Sequence, residues 1–191
     1  VMELMLPKVK PLTMLHAKIL AIVSSALLLL ITASLGFLVP YLLGWVDLEN
    51  ASLVGLVLDF SKLDAVVISM FVVYFVTGYL LYAMLYAAVG AVVSKIEDVQ
   101  SLSFPITMLG IAAFFISIKS LFDPNSTLAV VSSYIPFFTP MVTFSRLVAG
   151  EAGTVEIIVT LVILLVTIAI VNMLASRIYV NGVMNLSLIH I

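Results

Sequence analysis

Long apolar runs, separated by short polar segments, dominate the pattern of hydrophobic and polar positions in this chain. The stretch from Ile19 to Val46 contains no charged side chain, and neither does the stretch from Ala65 to Ser94. A helix needs about 20 consecutive apolar residues to cross the hydrocarbon core of a bilayer. Each stretch exceeds that length, so each is predicted to contain a membrane-spanning helix, the second one tilted or projecting beyond the bilayer.

Two further apolar runs extend the prediction to an all-α membrane protein with about four transmembrane helices. The third helix is predicted to begin near Leu102, because Pro105 suits the first turn of a helix, where its missing N–H is not needed. The fourth run is closed by Arg177. The predicted spans are residues 19–43, 66–93, 102–121 and 157–177.

The segments between the spans hold most of the charged residues. The segment from Asp47 to Asp64 is acidic and is predicted to form a loop with room for a short amphipathic helix, and Lys95 to Gln100 is predicted to form a second loop. Residues 132–150 are apolar but are interrupted by Pro136 and Pro140. We predict one or two short helices there, lying at the outer membrane interface or dipping into it as a re-entrant segment.

Composition excludes most soluble functions. The 191 residues are 64% hydrophobic and 9% charged, whereas soluble domains carry roughly 25% charged residues, so lipid must cover much of this surface. A net charge of −2 argues against a nucleic-acid partner, and the absence of cysteine excludes thiolate chemistry.

Catalytic and cofactor-binding patterns are absent from the sequence. There is no GxxxxGK[ST] phosphate loop, no spacing that suggests a Ser–His–Asp set, and only two histidines, His16 and His190, near opposite ends of the chain. We therefore predict that the chain is not an enzyme and binds no cofactor or metal. The predicted spans hold no ionisable residue at mid-membrane depth, which disfavours an ion-coupled transporter and indicates that any transport draws its energy from a partner.

The distribution of lysine and arginine favours a topology in which both termini are cytoplasmic. In that topology, five of the eight basic residues lie inside and three lie outside. The inside set is Lys8, Lys10, Lys18, Lys95 and Arg177, and the outside set is Lys62, Lys119 and Arg146.

The second span has two stripes of residues at helical spacing. A stripe of small residues would let helix backbones approach closely, and it consists of Ala83, Ala87, Gly90 and Ala91. Beside it, an aromatic stripe lies within about 80° of helix arc, and it consists of Phe71, Phe75, Tyr79, Tyr82 and Tyr86. Two interpretations stay open: ordinary helix packing with an interfacial belt, or an aromatic wall along a hydrophobic translocation path.

Residues 1–18 form a predicted cytoplasmic segment that mixes Leu and Met with lysines and is broken into short pieces by Pro7 and Pro11. Such a segment either anchors to anionic lipid or docks a cytoplasmic partner. The segment from Ser94 to Pro105, read from composition alone, is an ordinary solvated turn.

Two polar residues, Arg146 and Asn172, lie within apolar surroundings. Arg146 either extends to lipid headgroups or pairs with Glu151, Glu156 or Asp123 to hold its segment in place. Asn172, near the inner end of the last span, is predicted to donate an interhelical hydrogen bond.

Three blocks of sequence resemble the permease subunits of type-2 ATP-binding-cassette exporters, in particular the sodium-efflux-type branch. The blocks are VMELMLPKVKPLTMLHAKILA (Val1 to Ala21), YAMLYAAVGAVVSKIEDVQSLSFP (Tyr82 to Pro105) and SSYIPFFTPMVTFSRLVAG (Ser132 to Gly150). Their order and spacing make the resemblance specific, and it covers roughly Val1 to Met184. The chain departs from the family pattern at Ala17, where the family usually has Gly, and in its last residues.

The resemblance implies a six-span fold of which this chain holds spans three to six, with residues 1–18 a coupling segment and residues 19–184 the transmembrane domain. The first two spans and an extracellular domain would then precede Val1. Residues 185–191 read as an aberrant tail that resembles translated adapter sequence.

The resemblance also implies an efflux permease in the cell membrane that pairs with a second copy or a homologue and docks a separate cytoplasmic ATPase. The substrate would be sodium ions or a hydrophobic, drug-like molecule. The implied site residues are Glu3, Leu6, Lys8 and Pro11 for ATPase coupling, Glu97, Asp98, Gln100 and Pro105 in a cytoplasmic loop motif, and Pro136, Pro140 and Arg146 in an outer gate. The alternative is a membrane scaffold or assembly protein that transports nothing.

Overall fold

The computed structural model of the protein describes residues 11–44, 52–53, 56–57, 64–93 and 96–189. Six helices and one pair of short strands make up these residues. In chain order they are α1 (Pro11–Leu42), β1 (Ser52–Leu53), β2 (Leu56–Val57), α2 (Ala65–Val92), α3 (Ile96–Phe122), α4 (Thr127–Ser133), α5 (Thr139–Val148) and α6 (Thr154–Ile189).

Four of the described helices are long and apolar enough to cross a membrane. The qualifying segments are Leu12–Leu42, Ala65–Val92, Glu97–Phe122 and Thr154–Val180. Their outer faces expose large apolar side chains such as Leu20, of which 74% is accessible, as expected for surfaces that face lipid. The prediction of an all-α membrane protein with four spans is confirmed.

The start of α3 differs from the prediction. The helix begins at Ile96, so most of the segment predicted as a loop is helical, and Pro105 lies inside the helix and not in its first turn. Glu97 and Asp98 occupy the first turn, where carboxylates stabilise the positive end of the helix dipole. Spanning helices tolerate an internal proline, so Pro105 did not mark the helix start.

The ends of the other long helices follow local sequence signals. Pro11 is the first residue of α1, a position that favours proline. Asp64 caps α2, because its side chain accepts a hydrogen bond from the Val67 amide at 2.8 Å. Within the acidic segment between α1 and α2, the described residues form the antiparallel pair β1–β2, with Ser52 opposite Val57, and not a helix.

Helix α2 is the centre of the bundle, since it contacts α1, α3, α5 and α6. The main core lies where α1, α2 and α6 meet. Its largest fully buried side chains include Leu15 of α1, Tyr74 and Leu81 of α2, and Leu164 of α6. The Tyr74 hydroxyl lies 3.0 Å from the Thr160 hydroxyl, which satisfies a polar group that the apolar core would otherwise leave unpaired. The opposite face of α2 is only partly covered.

Candidate functional site

The partly covered face of α2 borders two cavities. We call the first the aromatic cavity; it encloses about 520 Å³ between α2, α3 and α5. We call the second the lysine cavity; it encloses about 580 Å³ and lies between α2, α1 and α6. Both volumes fall in the range of roughly 300–1,000 Å³ that is typical of small-molecule sites.

Aromatic rings from α2 and α5 form the wall of the aromatic cavity. Along α2, the ring centroids of Phe71 and Phe75 lie 6.0 Å apart, and those of Phe75 and Tyr79 also lie 6.0 Å apart. Phe144 of α5 approaches Phe71 to 5.2 Å. Such tilted and offset rings interact favourably, so the wall is a continuous apolar surface, to which Phe114 of α3 adds one more ring.

The lysine cavity has one cationic group at its edge and a lining that is otherwise apolar or phenolic. The Lys18 ammonium donates a hydrogen bond to the Tyr179 hydroxyl at 3.2 Å and lies 5.5 Å from the centre of the Tyr179 ring. That distance allows a cation–π interaction. Tyr86 and the small residues Ala87 and Gly90 line the cavity along α2.

Tyr79 and Tyr82 line both cavities and therefore separate them. The Tyr82 hydroxyl donates to the backbone carbonyl of Phe137 at 3.0 Å, and the Tyr86 hydroxyl lies 3.0 Å from the Thr107 hydroxyl on α3. Every residue of the predicted aromatic stripe lines one cavity or both: Phe71, Phe75, Tyr79, Tyr82 and Tyr86.

The residues of the small-residue stripe differ in how closely neighbouring helices pack against them. Ala83 and Ala91 are buried, and Ala87 packs against the core from its margin. Gly90 is exposed, and a Cβ built on it would meet no heavy atom of the described residues within 4 Å. No described helix therefore packs closely against Gly90.

Of the two glycines of α2, Gly78 is the one that a neighbouring element approaches closely, and the sequence analysis did not single it out. A Cβ added there would lie 2.6 Å from Cβ and 2.9 Å from Cγ of Pro140. A glycine inside an apolar helix can indicate that a neighbouring element packs closely against the backbone there. This is the one sequence signal that points to Gly78. Pro140 itself lies at the start of α5.

The predicted outer segment, residues 132–150, holds all of α5 but only the last two residues of α4, with Pro136 in the turn between the two helices. Side-chain hydroxyls tie the two helices together. Thr139 donates to the backbone carbonyl of Ser133 at 2.8 Å, and Thr143 donates to the same carbonyl at 3.2 Å. The α4–α5 segment is thereby held as one unit against α2 and α3.

Arg146 is only 3% exposed and pairs with Glu156 at the start of α6. Its Nε donates to one carboxylate oxygen at 2.9 Å and its Nη2 to the other at 3.0 Å. Its Nη1 donates to the backbone carbonyl of Pro124, and the Ser133 hydroxyl donates to Glu156 at 3.0 Å. The two-point geometry is the strong form of this ion pair. Together with the bonds to Pro124 and from Ser133, it links the α3–α4 turn, α4, α5 and α6.

This arrangement decides between the alternatives for Arg146. The Arg146 side chain is buried and does not extend to lipid headgroups. Of the three acidic candidates, it pairs with Glu156. Glu151 instead accepts a hydrogen bond from the Asn125 side chain at 2.8 Å. The side-chain oxygen of Asn172 is buried and has no hydrogen-bond partner among the described residues; the donation expected of its amide nitrogen stays a prediction.

The residues predicted to couple to an ATPase fall at the edge of the structure. Glu3, Leu6 and Lys8 lie outside the described residues, and Pro11 begins α1. The loop-motif residues Glu97, Asp98, Gln100 and Pro105 are all exposed on α3. In the described ranges no group of three or more His, Asp or Glu side chains could hold a metal ion.

Comparisons with known proteins place the site in a wider context. A family model described as "ABC-2 family transporter protein" matches residues 1–177. The uncharacterized protein YhaP of Bacillus subtilis is 35% identical over 188 residues, which are 96% of this chain and 44% of that protein.

A more distant relative is an uncharacterized protein of Methanocaldococcus jannaschii, which is 29% identical over 112 residues, or 59% of this chain and 28% of its own length. The chain spans less than half the length of these curated relatives. No solved structure matches the chain significantly.

Proposed function

Because this chain belongs to the ABC-2 family of transporter proteins, we propose that it lines the efflux path of an ATP-driven exporter and docks a separate ATPase subunit. Family membership and four apolar helices make the chain a multi-pass membrane permease. The direction of transport, the path through the protein and the ATPase contact are the parts that we propose.

One observation supports the path above all: the aromatic stripe of α2 borders two consecutive cavities that share Tyr79 and Tyr82. A helix used only for packing would bury this face against its neighbours, as α2 does on another side with Leu81 and Met84. The open face instead offers an apolar molecule a continuous surface of rings from the Lys18 end of the bundle to the Arg146 end.

We assign the α4–α5 segment the role of a gate at the Arg146 end of the path. Phe137, Pro140 and Phe144 of this segment line the aromatic cavity on the side across from the aromatic stripe of α2. The Arg146–Glu156 pair supports this role, because it fixes α5 to the start of α6. A gate must have a defined closed position, and a buried, two-point ion pair supplies one.

Helix α1 would carry the signal from the ATPase to the path. In the proposal, Glu3 to Pro11 contact the ATPase and lead directly into α1. Leu15 and Ile19, one and two turns beyond Pro11, are buried in the core, and Lys18 borders the lysine cavity. Movement of the coupling segment would therefore reach the cavity through a single continuous helix. A second copy or a homologue would complete the path as a dimer.

The test is to co-express the complete permease with the ATPase encoded beside it and to measure ATP hydrolysis in reconstituted vesicles. Glu3→Lys and Leu6→Asp are expected to abolish co-purification and stimulated hydrolysis, whereas Leu20→Phe, on the lipid-facing side of α1, is expected to retain both. Unchanged assembly and stimulation in the first two variants would refute the coupling assignment. Failure of every ATPase to assemble would favour a scaffold that transports nothing.

A further inference from the structure

The lysine cavity has the charge distribution of a site for an amphiphile. Lys18 is the charged side chain among the residues that line it, and tyrosine rings, alanines and other small or apolar groups form the rest of the lining. Charge is therefore confined to one edge, and the wall that leads away from it along α2 is apolar or phenolic. A ligand that matches this surface has a charged head and an apolar body.

The head group must be an anion, because the group that would meet it is an ammonium. Tyr179 takes one hydrogen bond from Lys18, at 3.2 Å, and an ammonium has three N–H donors. No carboxylate of the described residues lies within 4.0 Å of the Lys18 nitrogen. Tyr179 lines the same cavity, and its hydroxyl, which accepts from Lys18, can donate to an anion as well.

A metal cation does not match the same surface. Sodium requires several oxygen ligands, and hard cations in proteins are held mainly by carboxylates, carbonyls and water. The described residues that line the two cavities include no carboxylate, and the Lys18 charge would repel a cation. Of the two substrate classes that the sequence left open, the geometry therefore favours a molecule with an apolar body over sodium ions.

The apolar body has a defined course. From Lys18 the cavity runs along Tyr86 and Tyr82 to Tyr79, and the last two residues also border the aromatic cavity. Small side chains at Ala83 and Ala87 leave the width that a chain requires. A cavity of about 580 Å³ is of the size that a single small ligand fills.

We propose that the lysine cavity binds single-chain anionic amphiphiles, such as alkyl phosphates and alkyl carboxylates, with the head group on Lys18 and the chain along Tyr86, Tyr82 and Tyr79. That these ligands are also the transported class rests on the function proposed above. Binding itself does not depend on an ATPase.

The test is ligand binding to the purified permease in nanodiscs of phosphatidylcholine, with dodecyl phosphate as the probe and displacement of a fluorescent fatty acid as the readout. Dodecyl phosphate is expected to bind at least about tenfold more tightly than dodecyltrimethylammonium, which has the same chain and the opposite charge. Lys18→Gln is expected to weaken dodecyl phosphate binding about tenfold or more, because a charge-assisted hydrogen bond is lost. Lys18→Arg should retain binding, and Lys119→Gln, an exposed lysine of α3, is the matched control.

Equal binding of the two dodecyl ligands to the wild-type protein would overturn the proposal. This comparison uses only the wild-type protein, so it does not depend on whether a variant folds. Unchanged binding by a folded Lys18→Gln protein would do the same. A further outcome concerns membrane lipid. If phosphatidylglycerol added to the nanodisc displaces the fluorescent fatty acid as effectively as dodecyl phosphate does, the single-chain assignment is overturned and the site binds membrane lipid.

The two proposals fail separately. If the permease and ATPase export a neutral dye in an ATP-dependent manner, but the permease binds anionic and cationic dodecyl ligands equally well, the anionic site is wrong and the exporter proposal stands. If Lys18-dependent binding is found but no ATPase assembles, the site stands and the exporter is wrong.

Discussion

Pro140 of α5 packs so closely against Gly78 of α2 that a Cβ on Gly78 would lie 2.6 Å from the Pro140 Cβ. Both partners are rigid, since one is helix backbone and the other is a proline ring. The contact brings Phe137 and Phe144 against the aromatic stripe, and these residues close the aromatic cavity. The position proposed for the α4–α5 gate therefore depends on residue 78 having no side chain.

Gly78→Ala is expected to destabilise the protein by about 1–3 kcal/mol, because neither side of the contact can yield without moving α5. The measurement is thermal unfolding in detergent. Gly36→Ala is the control, since a Cβ on Gly36 meets nothing within 4 Å and alanine is favoured over glycine inside a helix. Equal unfolding temperatures for the two variants would show that the Gly78–Pro140 contact is not tight.

Arg146→Met is expected to cost about 3–5 kcal/mol, because it leaves the Glu156 carboxylate in a largely buried position without its partner. The double change Arg146→Met with Glu156→Gln should recover part of that loss, since it removes the unpaired charge. Limited proteolysis between α4 and α6 and thermal unfolding both measure the effect. Glu151→Gln, at an exposed residue nearby, should change stability by no more than about 0.5 kcal/mol. A double variant less stable than the single one would contradict this account of the pair.

Tyr82→Phe is expected to loosen the turn between α4 and α5 while leaving the shape of the wall unchanged. The variant loses the hydrogen bond to the Phe137 carbonyl, which is worth about 0.5–1.5 kcal/mol. Backbone hydrogen exchange in residues 134–142 should become faster by several fold. Tyr41→Phe, at an exposed position of α1, is the control, and identical exchange in both variants would remove Tyr82 from the gate.

The sequence predicted the features that depend on local pattern and missed those that depend on two elements meeting. Four apolar runs and the helical spacing of the aromatic stripe were legible because each is a property of one helix. Pro105 predicts a start of α3 near Leu102, which is too late; the acidic residues Glu97 and Asp98 are the local signal for the actual start at Ile96.

Contacts between elements required the structure. Three acidic residues were equally eligible partners for Arg146, and only the packing of α5 on α6 selects Glu156. Gly78 gave no specific signal, because its role is set by Pro140, which is 62 positions away in the printed sequence. The joint position of Lys18 and Tyr179 at the lysine cavity follows from how α1 and α6 pack on α2.

The central claim, that solute passes along the aromatic face of α2, is tested most directly by filling that path. Ala87→Phe places a ring in the lysine cavity, whereas Ala169→Phe places the same ring on an exposed position of α6. The measurement is ATP-driven export of a lipophilic fluorescent probe by vesicles that contain the permease and its ATPase, with unfolding temperature as the check on folding. The account predicts that export by Ala87→Phe falls at least about tenfold, equivalent to roughly 1.4 kcal/mol, while Ala169→Phe exports at the wild-type rate. Undiminished export by a folded Ala87→Phe protein would contradict it.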